Sequence, residues 1–194
     1  RRRTANSLDT IIWYFDSIFQ PSAMSMNFAS NHDENSWTKA DYETMPGESH
    51  APFAVLTQTV DQSVPLIYSG QEEPVLDSIS FFYKDTISFN KLQRANFYKT
   101  LLTLRKNNSA LAANASFKKL KTNNDAAIFA FEREKDGNKV LVILNLSKSP
   151  QEFNWIDKPT LPELSENVFL GKQESLSSVT AMQPWGYVVY AVKK

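Results

Sequence analysis

Residues Ala23-Met24-Ser25-Met26-Asn27-Phe28-Ala29 make a short, mainly apolar run that breaks off into Ser30-Asn31-His32-Asp33-Glu34-Asn35-Ser36-Trp37. The pattern is that of a strand whose polar chemistry begins where the strand stops. Upstream, Leu8, Ile11, Ile12, Phe15, Ile18 and Phe19 recur at helical spacing until Pro21 ends the pattern. Downstream, a helix is predicted over 50–60, where Ala51, Phe53, Ala54, Val55 and Leu56 are too uniformly apolar for a surface. The apolar run Val64-Pro65-Leu66-Ile67-Tyr68 then ends in Ser69-Gly70-Gln71-Glu72-Glu73-Pro74. Helix, strand and polar loop thus occur twice in succession, the alternation of an α/β sheet whose parallel strands are joined by covering helices. In such folds sites lie beyond the carboxyl ends of the strands.

A third helix is expected to start at Asn90 as N-cap, with Leu92, Ala95, Tyr98, Leu101, Leu102 and Arg105 along one side, and to fray at Asn107-Asn108-Ser109. From Ser116 the period changes. Strands are predicted over 116–120, 126–133, 139–146, 152–155, 167–170 and 187–192, and Asp136-Gly137-Asn138 marks the clearest hairpin. The chain therefore divides near Ala112 into an α/β portion, 1–112, and a small antiparallel β-sandwich, 113–194.

Composition narrows the function. The 194 residues carry 21 basic and 21 acidic side chains and no cysteine, which removes disulfides, thiolate zinc sites and cysteine nucleophiles. Without a basic excess no nucleic-acid partner is expected; Arg1-Arg2-Arg3 and Lys118, Lys119 and Lys121 read as solvated ends and faces. Gly47, Gly70, Gly137, Gly171 and Gly186 are too scattered for a phosphate-cradling loop. No apolar run is long enough to span a bilayer, so no membrane partner is expected.

The stretch from Asn31 to Trp37 offers a histidine, carboxylates, amides and a tryptophan. That set suits a sugar: carboxylates, amides and imidazole bind hydroxyls, while an aromatic face covers the apolar side of a pyranose ring. A metal held by His32, Asp33 and a further ligand such as His50 is the rival reading, although the spacing matches no common zinc signature. A plain polar loop with His32 capping the backbone is the third.

Phe28-Ala29-Ser30-Asn31-His32-Asp33 resembles the Asn-His-Asp region after the seventh barrel strand of the α-amylase superfamily, glycoside hydrolase family 13. Val64-Pro65-Leu66-Ile67-Tyr68-Ser69-Gly70-Gln71-Glu72-Glu73 is similar to the eighth-strand signature, in the right order and at a plausible separation. Segments 79–85 and 96–106 resemble the approach to the last barrel helix. The likeness is strong over 28–111 and architectural beyond; Ser63 departs from the glycine common at its position.

The resemblance implies the C-terminal remnant of a (β/α)8 TIM barrel, about two strands and three helices, followed by the sandwich. It assigns Asp33 as the catalytic carboxylate that favours the oxocarbenium-like transition state. His32 would bind a hydroxyl of the same glucosyl unit, with Asn31 supporting the loop and Trp37 either a sugar platform or packing. Tyr68, Gly70 and Glu72 would shape the eighth loop. The substrate would be an α-1,4-glucan or maltooligosaccharide, hydrolysed with retention. The family's nucleophile and acid/base follow its fourth and fifth strands, outside these residues, so the chain is expected to be inactive alone. No cofactor is assigned to these residues; calcium, if used, would lie mainly upstream. Self-association through the exposed barrel remnant is expected, and a secreted or periplasmic setting is favoured over a cytoplasmic one. A non-catalytic glucan-binding homologue and a glucanotransferase or isomerase of the same superfamily are the alternatives.

Overall fold

The computed structural model describes residues 4–37, 49–73 and 78–194. Arg1, Arg2, Arg3 and Gly47 lie outside the described residues. Helix α1 (Ser7–Ile18) leads to strand β1 (Ser25–Phe28), helix α2 (His32–Trp37), helix α3 (His50–Thr59) and strand β2 (Ser63–Leu66). β1 and β2 pair in parallel, Ser25 opposite Ser63 and Phe28 opposite Leu66. α3 carries Val55 and Leu56 into the core, and Val60 follows at its C-cap. The one-and-a-half turns of α2 are a departure from the polar loop expected there.

Helix α4 (Ala95–Asn107) begins four residues later than the Asn90 cap predicts. The cause is Glu73, whose carboxylate accepts the N–H groups of Asn90 at 3.1 Å, Lys91 at 2.9 Å and Leu92 at 2.8 Å. Leu92 stands at a φ of 47°, outside the helical region. Arg105 of α4 donates to the carbonyls of Gln58 and Ser63 at 2.8 and 2.6 Å, tying α4 to the end of α3 and the start of β2.

After a single 3-10 turn (Ser109–Leu111) come β3 (Ser116–Leu120), β4 (Ile128–Lys135), β5 (Asn138–Asn145), β6 (Gln151–Glu152), β7 (Leu164–Asn167), β8 (Lys172–Ser175), β9 (Ala181–Met182) and β10 (Tyr187–Val192). Six of them form one antiparallel sheet in the order β3-β4-β5-β10-β7-β8, and β6 pairs with β9. The β4–β5 turn places Asp136 and Gly137 at φ 54° and 81°, the backbone that a two-residue hairpin requires.

Alternation along β4 and β5 buries both faces. Phe129, Phe131, Val140, Val142 and Leu144 pack with Val55, Leu101 and Leu104 of the helices. Ile128, Ala130, Leu141 and Ile143 face the other way, against Phe153, Leu161, Leu176 and Met182. The second layer of the expected sandwich is thus a two-stranded ribbon with loops, not a full sheet. Trp155 makes only an isolated bridge to Thr122, and 168–170 turn after β7, so two expected strands are shorter or shifted. Lys119 pairs with Asp125 at 3.3 Å and lies over the Phe129 ring. No described helix is long and apolar enough to cross a membrane.

Candidate functional site

Because β1 and β2 run parallel and in register, the segments that follow them leave the pair at the same end. Asn31 follows β1 and starts α2: its Oδ1 accepts the Glu34 N–H at 2.8 Å and its carbonyl accepts the Asn35 N–H at 2.9 Å. With its backbone fixed by that cap, α2 presents His32 and Asp33 to solvent. Their side chains are 66% and 58% exposed, and His32 Nε2 stands 3.6 Å from Asp33 Oδ2. An acceptor-only carboxylate beside an imidazole can take hydrogen bonds from neighbouring hydroxyls and return one.

Asn35, buried beneath them, accepts the Ile79 N–H at 2.7 Å, and Ser36 Oγ donates to the Ile79 carbonyl at 2.7 Å. These two bonds draw 79–83 alongside α2. Trp37 is exposed and its ring lies 5.6 Å from Phe81 and 6.0 Å from Phe82.

The loop after β2 is braced from within. Tyr68 N–H donates to Gln71 Oε1 at 2.7 Å, and Gly70, at φ 93°, permits the turn that returns the Glu73 N–H to the Gly70 carbonyl. Glu72 contributes its carbonyl, which accepts the Arg94 N–H at 3.0 Å. The carboxylate that organises the loop is that of Glu73, held below the usual carboxylate range by the N–H groups of Leu92, Lys91 and Asn90. Sequence reading passed over Glu73 because its side-chain partners, Asn90, Lys91 and Leu92, are far along the chain; Gln71, whose partner Tyr68 is three residues away, carried a local turn signal.

His50 does not join His32 and Asp33. It is buried, its Nε2 lies 2.6 Å from the Tyr98 hydroxyl, and burial followed by the nearby Arg94 charge lowers its pKa to about 3. Among the described residues no three His, Asp or Glu side chains gather into a group able to hold a metal ion.

The family described as the α-amylase SusG C-terminal domain matches residues 128–184. Over those residues the β portion of the chain is similar to that domain. No curated protein sequence matches the chain. Among solved structures, the maltogenic α-amylase AmyB of Thermotoga neapolitana superposes with a TM-score of 0.72 at 16% identity, over 98% of this chain and 44% of that one. A γ-CGTase from an alkalophilic Bacillus clarkii gives 0.72 at 17% identity, over 100% and 30%. The trehalulose synthase MutB of Pseudomonas mesoacidophila gives 0.66 at 19% identity, over 99% and 47%. At these identities the likeness shows the fold, and the chain spans less than half of each of these structures. The matched segment covers β4 through β9 and stops short of β1 and β2, so the loops bearing Asp33 and Glu73 lie outside it.

Proposed function

We propose that this chain supplies part of the substrate cleft of an α-amylase-type glycoside hydrolase acting on α-1,4-linked glucans or maltooligosaccharides. In this reading residues 1–112 are the last portion of a (β/α)8 barrel and 113–194 its C-terminal β domain. Asp33 accepts hydrogen bonds from adjacent hydroxyls of one glucosyl unit and favours the positively charged, flattened transition state; His32 binds a hydroxyl of the same unit. The observation that carries the reading is the parallel register of β1 and β2, which sends the His32–Asp33 turn and the Glu73-braced loop off one end. Retaining hydrolysis also needs a nucleophile and an acid/base about 5 Å apart. Those are assigned to other residues of a longer polypeptide, as is any calcium, and the chain alone is without turnover.

Reducing-end release from maltoheptaose and soluble starch tests this. A longer polypeptide carrying the chain is expected to be active, its Asp33→Asn variant to lose at least about a hundredfold, and the chain alone to do nothing. An inert longer polypeptide, across a range of α-glucosides, would replace the hydrolase by a glucan-binding module. The likeness to MutB, named a trehalulose synthase, supports a second reading as an isomerase. Incubation of the longer polypeptide with sucrose, an isomer of trehalulose, separates the two, since an isomerase returns trehalulose where an α-1,4-glucan hydrolase leaves the sucrose intact.

A further inference from the structure

Beside His32 and Asp33 lies a cluster of rings built from two distant segments. Phe81 is stacked on the His32 ring at 5.9 Å and an interplanar angle of 24°, and its centroid is 4.9 Å from that of Phe82. Trp37 touches both phenylalanines. Trp37 is 62% and Phe82 73% exposed, where the core rings of Phe129 and Phe131 are fully buried. The arrangement is held from behind. Ile79 is bonded through both backbone groups to Asn35 and Ser36, and Asp85 closes the turn by accepting the N–H groups of Ser80 at 2.9 Å and Thr86 at 2.7 Å. Backbone anchors therefore set the rings beside a solvent-facing carboxylate and imidazole, at a hydrophobic cost that a ligand can offset.

The ligand chemistry follows from that pairing. A pyranose ring has an apolar face of C–H groups and a rim of hydroxyls, so it meets an aromatic face and a hydrogen-bonding edge at once. We propose that Phe81, Phe82 and Trp37 form a stacking platform for the glucosyl unit adjoining the one held by His32 and Asp33. The platform would favour oligosaccharides over single rings, since it engages only a second sugar. This rests on the reading of Asp33 given above for which unit comes first.

The test is calorimetric titration of the 194-residue chain with maltoheptaose and with methyl α-glucoside, for the wild type and for Phe82→Ala, Phe82→Tyr, Asp33→Asn and Leu170→Ala. Maltoheptaose is expected to bind and the monosaccharide glucoside to bind far more weakly. Phe82→Ala should weaken maltoheptaose about tenfold, Phe82→Tyr should retain it, and Leu170→Ala, an exposed control on the β domain, should change nothing. No maltoheptaose binding at millimolar ligand by the folded wild type overturns the platform. So does equal loss in the Leu170 variant, or unchanged binding in Phe82→Ala. Melting curves keep the test open to failure: if Phe82→Ala lowers Tm with affinity intact, the rings are packing. If Phe82 governs binding while Asp33→Asn leaves turnover of the longer polypeptide intact, the platform stands and the role assigned to Asp33 falls; the converse outcome removes the platform alone.

Discussion

Arg133 Nη1, on β4, donates to the carbonyl of Thr59, the last residue of α3, at 2.9 Å. The guanidinium is fully buried and also serves the carbonyls of Ser116, Ala112 and Ala115. Burial pulls its pKa down to about 10, which leaves it charged at neutral pH. A cation at a helix C-terminus meets the negative end of the peptide dipoles, so the β sheet holds the helix by charge as well as by packing. Arg133→Met removes the guanidinium from these carbonyls, among them that of the buried Thr59, and is expected to cost about 3 kcal/mol in urea unfolding. Arg133→Lys should recover only part of it, because an ammonium cannot fan across four acceptors. A loss within error for Arg133→Met would show that water replaces the guanidinium.

His50 makes stability depend on pH. Its folded pKa, about 3, lies below the ordinary 6.5, so the unfolded chain binds the extra proton. Its contribution is complete above pH 6.5 and falls as pH drops toward 3, at up to about 1.4 kcal/mol per pH unit. Subtracting the urea stability of His50→Gln from that of the wild type, from pH 7 to 4, isolates this slope. A flat difference removes His50 as its source.

Glu73 pins the start of the segment before α4 through three backbone N–H groups. Its depressed pKa means that this clamp is intact at neutral pH and is lost as pH falls through the carboxylate range. Glu73→Gln keeps the shape but removes the charge. Amide exchange at Asn90, Lys91 and Leu92 should accelerate while that of Leu101 and Leu104, inside α4, holds steady. Uniform acceleration across α4 would instead mean that the whole helix loosens.

Local periodicity made α1, α3, the β4–β5 hairpin and β10 legible in the sequence, because their apolar positions and turn residues are decided by neighbours. The start of α4 was not, since Glu73 captures its would-be first turn from 17 residues upstream of Asn90. α2 had a signal that was passed over: Asn31 followed three residues later by Glu34 is an N-cap pattern. β8, Lys-Gln-Glu-Ser, has no apolar alternation to find. Nothing local to β4 singles out Arg133; only the folded chain reveals that the end of α3 lies over it. The Asn31–Asp33 and Tyr68–Glu73 loops were visible as polar breaks, but the approach of Phe81 and Phe82 depends on the Asn35 and Ser36 bonds to Ile79.

α1 and β1 leave apolar surface in solvent. Trp13, Phe15, Ile18 and Phe19 of α1 and its flank, with Met24, Met26 and Phe28, are each between 40% and 68% exposed. Between α1 and β1 runs a groove of about 770 Å³ lined by Leu8, Ile12, Phe15, Met24 and Phe28. Among the described residues β1 pairs only with β2, so its other edge offers unpaired backbone groups beside that groove. A second copy of the chain can cover both features, and the 194-residue chain is expected to self-associate as concentration rises. Light scattering over a concentration series checks this. Met26→Lys, which sets a charge on the open strand, should shift the mass toward the monomer while Leu170→Ala should not. A wild-type mass that stays monomeric throughout would mean that this exposed face does not draw copies together.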